Sequence, residues 1–358
     1  LSRAPKPTLF RTTTRDGWKI ALWNYRATER RTPVLLVHGL GSNRYDLDYP
    51  DDRYSLARFL HKAGFNVFVV ELRGAGASNN RLRKAISGYT IDDYLTHDIP
   101  SALRLIEDET GEDAVHWAGH SLGGMLAYPM IGTTPARIRS AATLGAPLMQ
   151  HLDHKKFEFL VPVVAAFLKR VPYFWGYKRA LQVGSYAMKL TAPIVGHYLF
   201  TLENCDLGDL ARISRVAIDD VPSAINLQMI EWYFEKRMTT HYGTVDVVEG
   251  LARSTTPLMV VAGATDRLTA LADVRVAYDR SGATSKELVI CGREHGFSAD
   301  YGHIDMVFGK KAHLEVFPRI RDWFVRHDSP RRAVAGENGK ATPGTPPVPA
   351  ARNAKQGG

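Results

Sequence analysis

Gly119-His120-Ser121-Leu122-Gly123-Gly124 is the stretch of this 358-residue chain whose residue types and spacing could do covalent chemistry. It follows the apolar run Ala114-Val115-His116-Trp117-Ala118 and leads into Met125-Leu126-Ala127-Tyr128. That order predicts a strand, a sharp turn and a helix with serine at the apex, the setting in which Gly-x-Ser-x-Gly is a nucleophile elbow. Small flanking residues let the backbone take the strained turn and let strand and helix approach. A serine hydroxyl attacks a carbonyl only when a base removes its proton. The base is usually a histidine oriented by a carboxylate, so the chain must also supply both of those.

Asp266 is the candidate acid. It ends Gly263-Ala264-Thr265-Asp266, just past the apolar run 257–263, where a loop carboxylate projects from a sheet edge. Asp153, after the preceding strand, is the next candidate. Two histidines follow the last apolar run, 286–291: His303, in Gly302-His303-Ile304-Asp305, and His295, in Glu294-His295-Gly296. His303 is the preferred base and His295 the alternative; with His303 as base, His295 is expected on the pocket wall or just behind the catalytic groups. The order nucleophile, acid, histidine suits an elbow serine. Backbone N–H groups must also meet the oxyanion. Leu122, next to the nucleophile, and Leu40, in the glycine-flanked turn His38-Gly39-Leu40-Gly41, are the expected donors. His38 is read as a structural hydrogen-bonder because it precedes that turn.

The elements that must hold these residues are legible in the periodicity. Residues 8–27 predict a hairpin with its turn at Asp16-Gly17. Runs at 33–38 and 66–71 are continuously apolar, as fully buried parallel strands are. Between them Leu56, Phe59, Leu60 and Ala63 share one helical face, and Gly64 stops the helix. A second helix starts near Thr90, with Asp93 completing a capping box and Gly111 ending it, and Pro100 should kink it. A strand at 141–146 follows the elbow, and a last helix covers about 316–326. Strands alternating with helices imply an α/β protein with a mostly parallel sheet covered on both faces.

Residues 148–250 break the alternation with aromatics, helical patterns and prolines, and are expected to form a helical cap inserted after the sixth strand. The expected division is therefore 1–147 and 251–327 as core, 148–250 as cap, and 328–358 as a proline-rich tail too poor in large apolar residues to fold.

With these segments in place, the chain resembles the α/β-hydrolase fold family from about residue 8 to 327. The resemblance rests on His-Gly-Leu-Gly at 38–41, Glu-Leu-Arg-Gly-Ala-Gly-Ala-Ser at 71–78, the elbow, Gly-Ala-Thr-Asp at 263–266 and Gly-His-Ile-Asp at 302–305. Asp92-Asp93-Tyr94-Leu95 and Gly302-His303-Ile304-Asp305 are similar to the acid-lipase-like branch. Poly(3-hydroxyalkanoate) synthase-like members share the layout but carry a cysteine nucleophile. The resemblance, with serine at the elbow, implies a serine carboxylic-ester hydrolase acting on an apolar ester through an acyl-enzyme. An acyltransferase or thioesterase using the same triad is the alternative, and a non-catalytic ligand-binding member is the second. Epoxide hydrolases and dehalogenases of this fold carry aspartate at the elbow.

Composition narrows the rest. Two cysteines, Cys205 and Cys291, provide neither a disulfide framework nor zinc spacing. No cofactor or metal is expected: Gly74-Ala75-Gly76-Ala77-Ser78 ends in Asn79 where a dinucleotide fingerprint needs glycine, and His151-Leu152-Asp153-His154 lacks a metal-ligand spacing. The formal charge of +9 admits contact with an acidic lipid surface, and no nucleic-acid partner is expected. The visible N-terminus has no signal-peptide apolar core and no initiator methionine. A cytoplasmic location is expected unless a signal has been removed. The sequence leaves oligomeric state open.

Overall fold

A computed structural model describes residues 6–29, 31–78, 88–148, 160–170 and 177–328. Among the described residues ten strands form: β1 (Thr8–Thr13), β2 (Lys19–Tyr25), β3 (Val34–Val37), β4 (Val67–Glu71), β5 (Val115–His120), β6 (Ile138–Leu144), β7 (Thr239–Thr240), β8 (Val245–Asp246), β9 (Leu258–Gly263) and β10 (Lys286–Cys291). Eight of them make one sheet in the order β1-β2-β4-β3-β5-β6-β9-β10, while β7 and β8 pair separately. In the large sheet β1–β2 and β2–β4 are antiparallel, and the pairings among β4, β3, β5, β6, β9 and β10 are all parallel. This is the mostly parallel sheet that the alternation predicts.

The apolar runs are continuous because alternate residues serve opposite faces. Leu35, Val37, Phe68 and Val70 join one core layer, with Ile99, Leu103 and Ile106 of the helix Ile99–Thr110. Val34, Leu36, Val67 and Val69 join the other, with Leu56 and Leu60 of the helix Leu56–Lys62 and Ile320 and Phe324 of the helix Phe317–His327. Each fully buried Leu, Ile or Phe contributes about 1.5–3 kcal/mol relative to exposure. The sheet, packed on both sides, is therefore a rigid base for the loops at its carboxyl edge.

Thr90 opens its helix as expected, its N–H donating to Asp93 Oδ2 at 2.8 Å. The expected kink at Pro100 takes a different form: Tyr94–Asp98 is a π-helical turn, and Pro100 lies in the first turn of the α-helix that follows. The wider turn accommodates a residue that has no N–H to give to a preceding carbonyl.

Between β6 and β9 the chain forms the helices Leu160–Arg170, Tyr177–Gly184, Leu207–Ala217 and Ser223–Glu235. This insertion is stitched to the sheet edge. Asn43 N–H donates to Ala217 O at 3.1 Å, Asp219 N–H donates to Gly41 O at 2.8 Å, and Ser42 and Ile218 form an antiparallel bridge. No helix among the described residues is long and apolar enough to cross a membrane. Apart from Asp328, the proline-rich tail lies outside the described residues.

Candidate active site

β3 and β5 are neighbours, but the chain runs outward from them in opposite directions, to β4 on one side and to β6 and β9 on the other. At such a switch point the loops beyond the strand ends separate and leave a crevice, where ligands bind in open parallel sheets. Ser121 stands there, immediately past β5, with φ +52° and ψ −121°. No serine adopts that conformation without constraint. The constraint is packing: a Cβ at Gly119 would strike the Gly123 backbone, and one at Gly123 would strike the Val37 carbonyl. Ser121 N–H donates to Leu144 O at 2.7 Å, and Trp117 Nε1 donates to Gly123 O at 3.0 Å. Ser121 remains partly exposed while residues 122–131 behind it are buried.

Asp266 and His303 arrive from the loops after β9 and β10. His303 Nδ1 lies 2.8 Å from Asp266 Oδ2, and both side chains are buried. A carboxylate can only accept, so Nδ1 carries the proton and the lone pair is left on Nε2. Asp266 is aimed by its own turn, accepting from Leu268 N–H at 2.9 Å, Thr269 N–H at 2.8 Å and Thr269 Oγ1 at 2.6 Å. Gly145 must be glycine to admit the imidazole: its φ is +56°, and a Cβ there would sit 3.0 Å from His303 Nδ1. His295 lies elsewhere, exposed on the single turn Arg293–His295. The expectation that it lines the pocket is corrected, since Gly292 starts that turn directly off β10 and carries it out to solvent. Asp153 and the 151–154 cluster lie outside the described residues.

Leu40 and Leu122, the expected oxyanion donors, line one open cavity together with Gly39, Tyr89 and Val221. A Cβ on Gly39 would lie 3.3 Å from Ser121 Cβ, so this turn passes directly over the serine. His38 has the structural role expected of it: Leu72 N–H donates to its Nε2 at 3.1 Å, so Nδ1 holds the proton and donates to Gly39 O at 2.8 Å. A second, apolar cleft opens beside Met125, one turn past Ser121, between Leu148, Met229, Trp232 and Met238.

Sequence reading missed a second imidazole–carboxylate pair. His120 Nδ1 lies 3.1 Å from both oxygens of Asp46, and His120 Nε2 lies 3.3 Å from the His303 carbonyl. Asp46 Oδ2 also accepts from Gly39 N–H at 2.7 Å. Both nitrogens of His120 therefore face acceptors, an arrangement that favours the doubly protonated ring. Burial alone would lower the His120 pKa, but Asp46 outweighs it and the pKa is raised. Burial likewise opposes ionisation of Asp46, yet His120 and the Gly39 N–H hold its pKa below the ordinary value. The pair ties the nucleophile strand, the backbone of His303 and the turn over Ser121 into one unit. The adjacency of His120 to Ser121 was a usable signal. Asp46, on the single turn Arg44–Asp46 in a polar loop, gave none.

Two further buried groups brace the crevice. Arg73 binds Asp98 and Asp16, each with a contact of 2.8 Å or closer, and so fixes the loop after β4. Asp16, Asp93 and His97 gather into an acidic cluster, and the Arg73 guanidinium lies 3.6 Å from Asp93. Asp92 accepts from the N–H groups of His241 and Tyr242, both at positive φ, and thereby holds the β7–β8 turn. Cys205 and Cys291 are buried, with their thiol pKa values pushed up chiefly by that burial.

Comparison with known proteins agrees with this architecture. The chain is 22% identical over 326 residues to the poly(3-hydroxyalkanoate) polymerase subunit PhaC of Haloferax mediterranei, covering 86% of this chain and 62% of that protein. It is 24% identical over 147 residues to gastric triacylglycerol lipase of Rattus norvegicus, covering 37% of each. The matches thus span less than two thirds of the length of these curated relatives. Among solved structures, a thermophilic esterase from Thermogutta terrifontis superposes with a TM-score of 0.58 at 17% identity, covering 89% of this chain and 99% of that one. The Pyrococcus furiosus esterase Pf2001 superposes with a TM-score of 0.53 at 16% identity, covering 90% and 92%. The sequence profile of the alpha/beta hydrolase fold matches residues 32–309, and the chain belongs to that family.

Proposed function

We propose that the protein is a serine carboxylic-ester hydrolase in which Ser121 attacks the ester carbonyl. The observation that carries this reading is the strained, partly exposed Ser121 at the switch point of a sheet in which the loops after β9 and β10 deliver a hydrogen-bonded Asp266–His303 pair. His303 Nε2 takes the Ser121 proton while Asp266 holds the ring and stabilises the imidazolium. Leu40 and Leu122 N–H groups receive the charge that develops on the carbonyl oxygen. The proton passes from His303 to the departing alkoxide, leaving an acyl-enzyme. His303 then deprotonates water, which attacks the acyl group and regenerates Ser121. The cleft beside Met125, Leu148 and Trp232 supplies an apolar wall for the substrate, and small apolar esters are the proposed substrate class, with residues 148–250 as a cap over the site.

A p-nitrophenyl ester series from acetyl to long acyl chains, with wild type and Ser121→Ala, tests the reading. Serine-dependent release of p-nitrophenol is expected, with the optimum chain length sizing the cleft. Equal rates for the two proteins would refute it. The similarity to a polymerase subunit over 86% of the chain favours a second reading, acyl transfer to an alcohol or thiol instead of water. Product analysis with competing alcohols and thiols separates the two.

A further inference from the structure

The helix that begins at Tyr177 runs on through the turn Ser185–Ala187 to Met188–Thr191. Its inner face is ordinary, with Ser185 and Ala192 buried and Met188 packed against the core. Its outer face is not. Val183, Tyr186 and Leu190, at helical spacing, are 70%, 80% and 79% exposed, and they rank among the most exposed large apolar side chains described. Val163, Val164 and Phe167 of the helix Leu160–Arg170 are also exposed. A contiguous apolar stripe held out to solvent marks a surface that something covers.

Charge identifies what covers it. Residues 159–202 contain no Asp or Glu, but hold Lys169, Arg170, Lys178, Arg179 and Lys189. Arg179 and Lys189 flank the stripe, are exposed, and make no ion pair among the described residues. A second copy of the chain would be a poor occupant, since two-fold pairing sets each positive stripe against itself. The chain's own terminal segment, 329–358, is equally unsuited: it carries five Lys or Arg against the single acid Glu337. Apolar side chains ringed by unpaired cations match a surface with anionic headgroups over an acyl layer.

We propose that the outer face of residues 179–190 docks the protein on an anionic lipid surface. The docking is independent of ester hydrolysis, so Ser121→Ala must bind as wild type does.

The test is co-sedimentation of the full chain with vesicles of phosphatidylcholine alone and of equimolar phosphatidylcholine and phosphatidylglycerol. Wild type is expected to partition onto the anionic vesicles at least about tenfold more strongly, with binding weakened by salt. The triple change Val183→Ser, Tyr186→Ser, Leu190→Ser and the double change Arg179→Glu, Lys189→Glu should each lower partition at least about tenfold. All five side chains are exposed, so melting temperature and turnover of a soluble short-chain ester should not move. Equal binding to the two vesicle types, no binding, or full binding by either variant would overturn the proposal. So would a wild-type dimer that the serine variant converts to monomer.

Discussion

Two buried imidazole–carboxylate pairs lie side by side at the crevice, and one difference separates their roles. His303 and His120 have ring centroids 4.9 Å apart, and each donates its Nδ1 proton to an aspartate. His303 is held through Nδ1 by Asp266, so its Nε2 is left free of that carboxylate. His120 has Nε2 facing the His303 carbonyl and Nδ1 facing Asp46, so acceptors occupy both nitrogens. In the proposed mechanism the first ring takes the Ser121 proton, and the second holds its neighbours in place. Resemblance between two pairs in residue type and distance therefore says little about chemistry until each nitrogen's partner is known.

Substitutions should separate the pairs in order of severity. His303→Ala and Ser121→Ala are expected to lower kcat by several orders of magnitude with the fold intact, as loss of a triad member does; circular dichroism and p-nitrophenyl ester turnover check both. Asp266→Asn should cost about 10⁴-fold in kcat through the wrong His303 tautomer. His120→Gln should be milder, about ten- to a hundredfold in kcat with KM unchanged, since it displaces the serine turn and the base by a fraction of an ångström. If His120→Gln were as inactive as His303→Ala, the distinction between base and positioning residue would fail. His295→Ala, which alters an exposed side chain, should leave both parameters unchanged.

Stability gives an independent handle on the second pair. Removing one member of a buried ion pair costs about 3–5 kcal/mol because the other is left uncompensated. The pH dependence follows from the two directions. The pKa of Asp46 is lowered in the fold, so its contribution is present above the ordinary carboxylate pKa and lost as pH falls through the folded value. The pKa of His120 is raised, so its contribution is present below the ordinary imidazole pKa and lost as pH rises through the folded value. The melting-temperature deficit of Asp46→Asn should therefore be greatest in mildly acidic solution and shrink towards both extremes. A deficit independent of pH would mean that the pair is not ionised. Trp117→Phe should cost about 1–3 kcal/mol by leaving the Gly123 carbonyl without its donor, with the loss read by denaturant unfolding.

The contrast also marks where sequence reading runs out. The sheet was legible because several parallel strands are nearly uninterrupted apolar runs, as at 34–37, 67–70 and 258–263. Ser121, Asp266 and His303 were legible because each directly follows a strand end, or the loop after one, in a fixed chain order. Asp46 was not, because a lone acid in a polar loop has no periodicity and its partner is 74 residues away. Arg73–Asp98 and Thr269 were hidden for the same reason: their meaning lies in what the fold brings to them. The π-turn at 94–98 escaped because Pro100 signals only that the regular helix must yield, without saying how.

Labelling by a fluorophosphonate, mapped by peptide mass spectrometry and timed for wild type, His303→Ala and His120→Gln, tests the central claim most directly. The account predicts label on Ser121 alone, a rate reduced by about a thousandfold or more without His303, and a far smaller loss without His120. Label on another residue, no label on folded wild-type protein, or equal rates for the two histidine variants would contradict it.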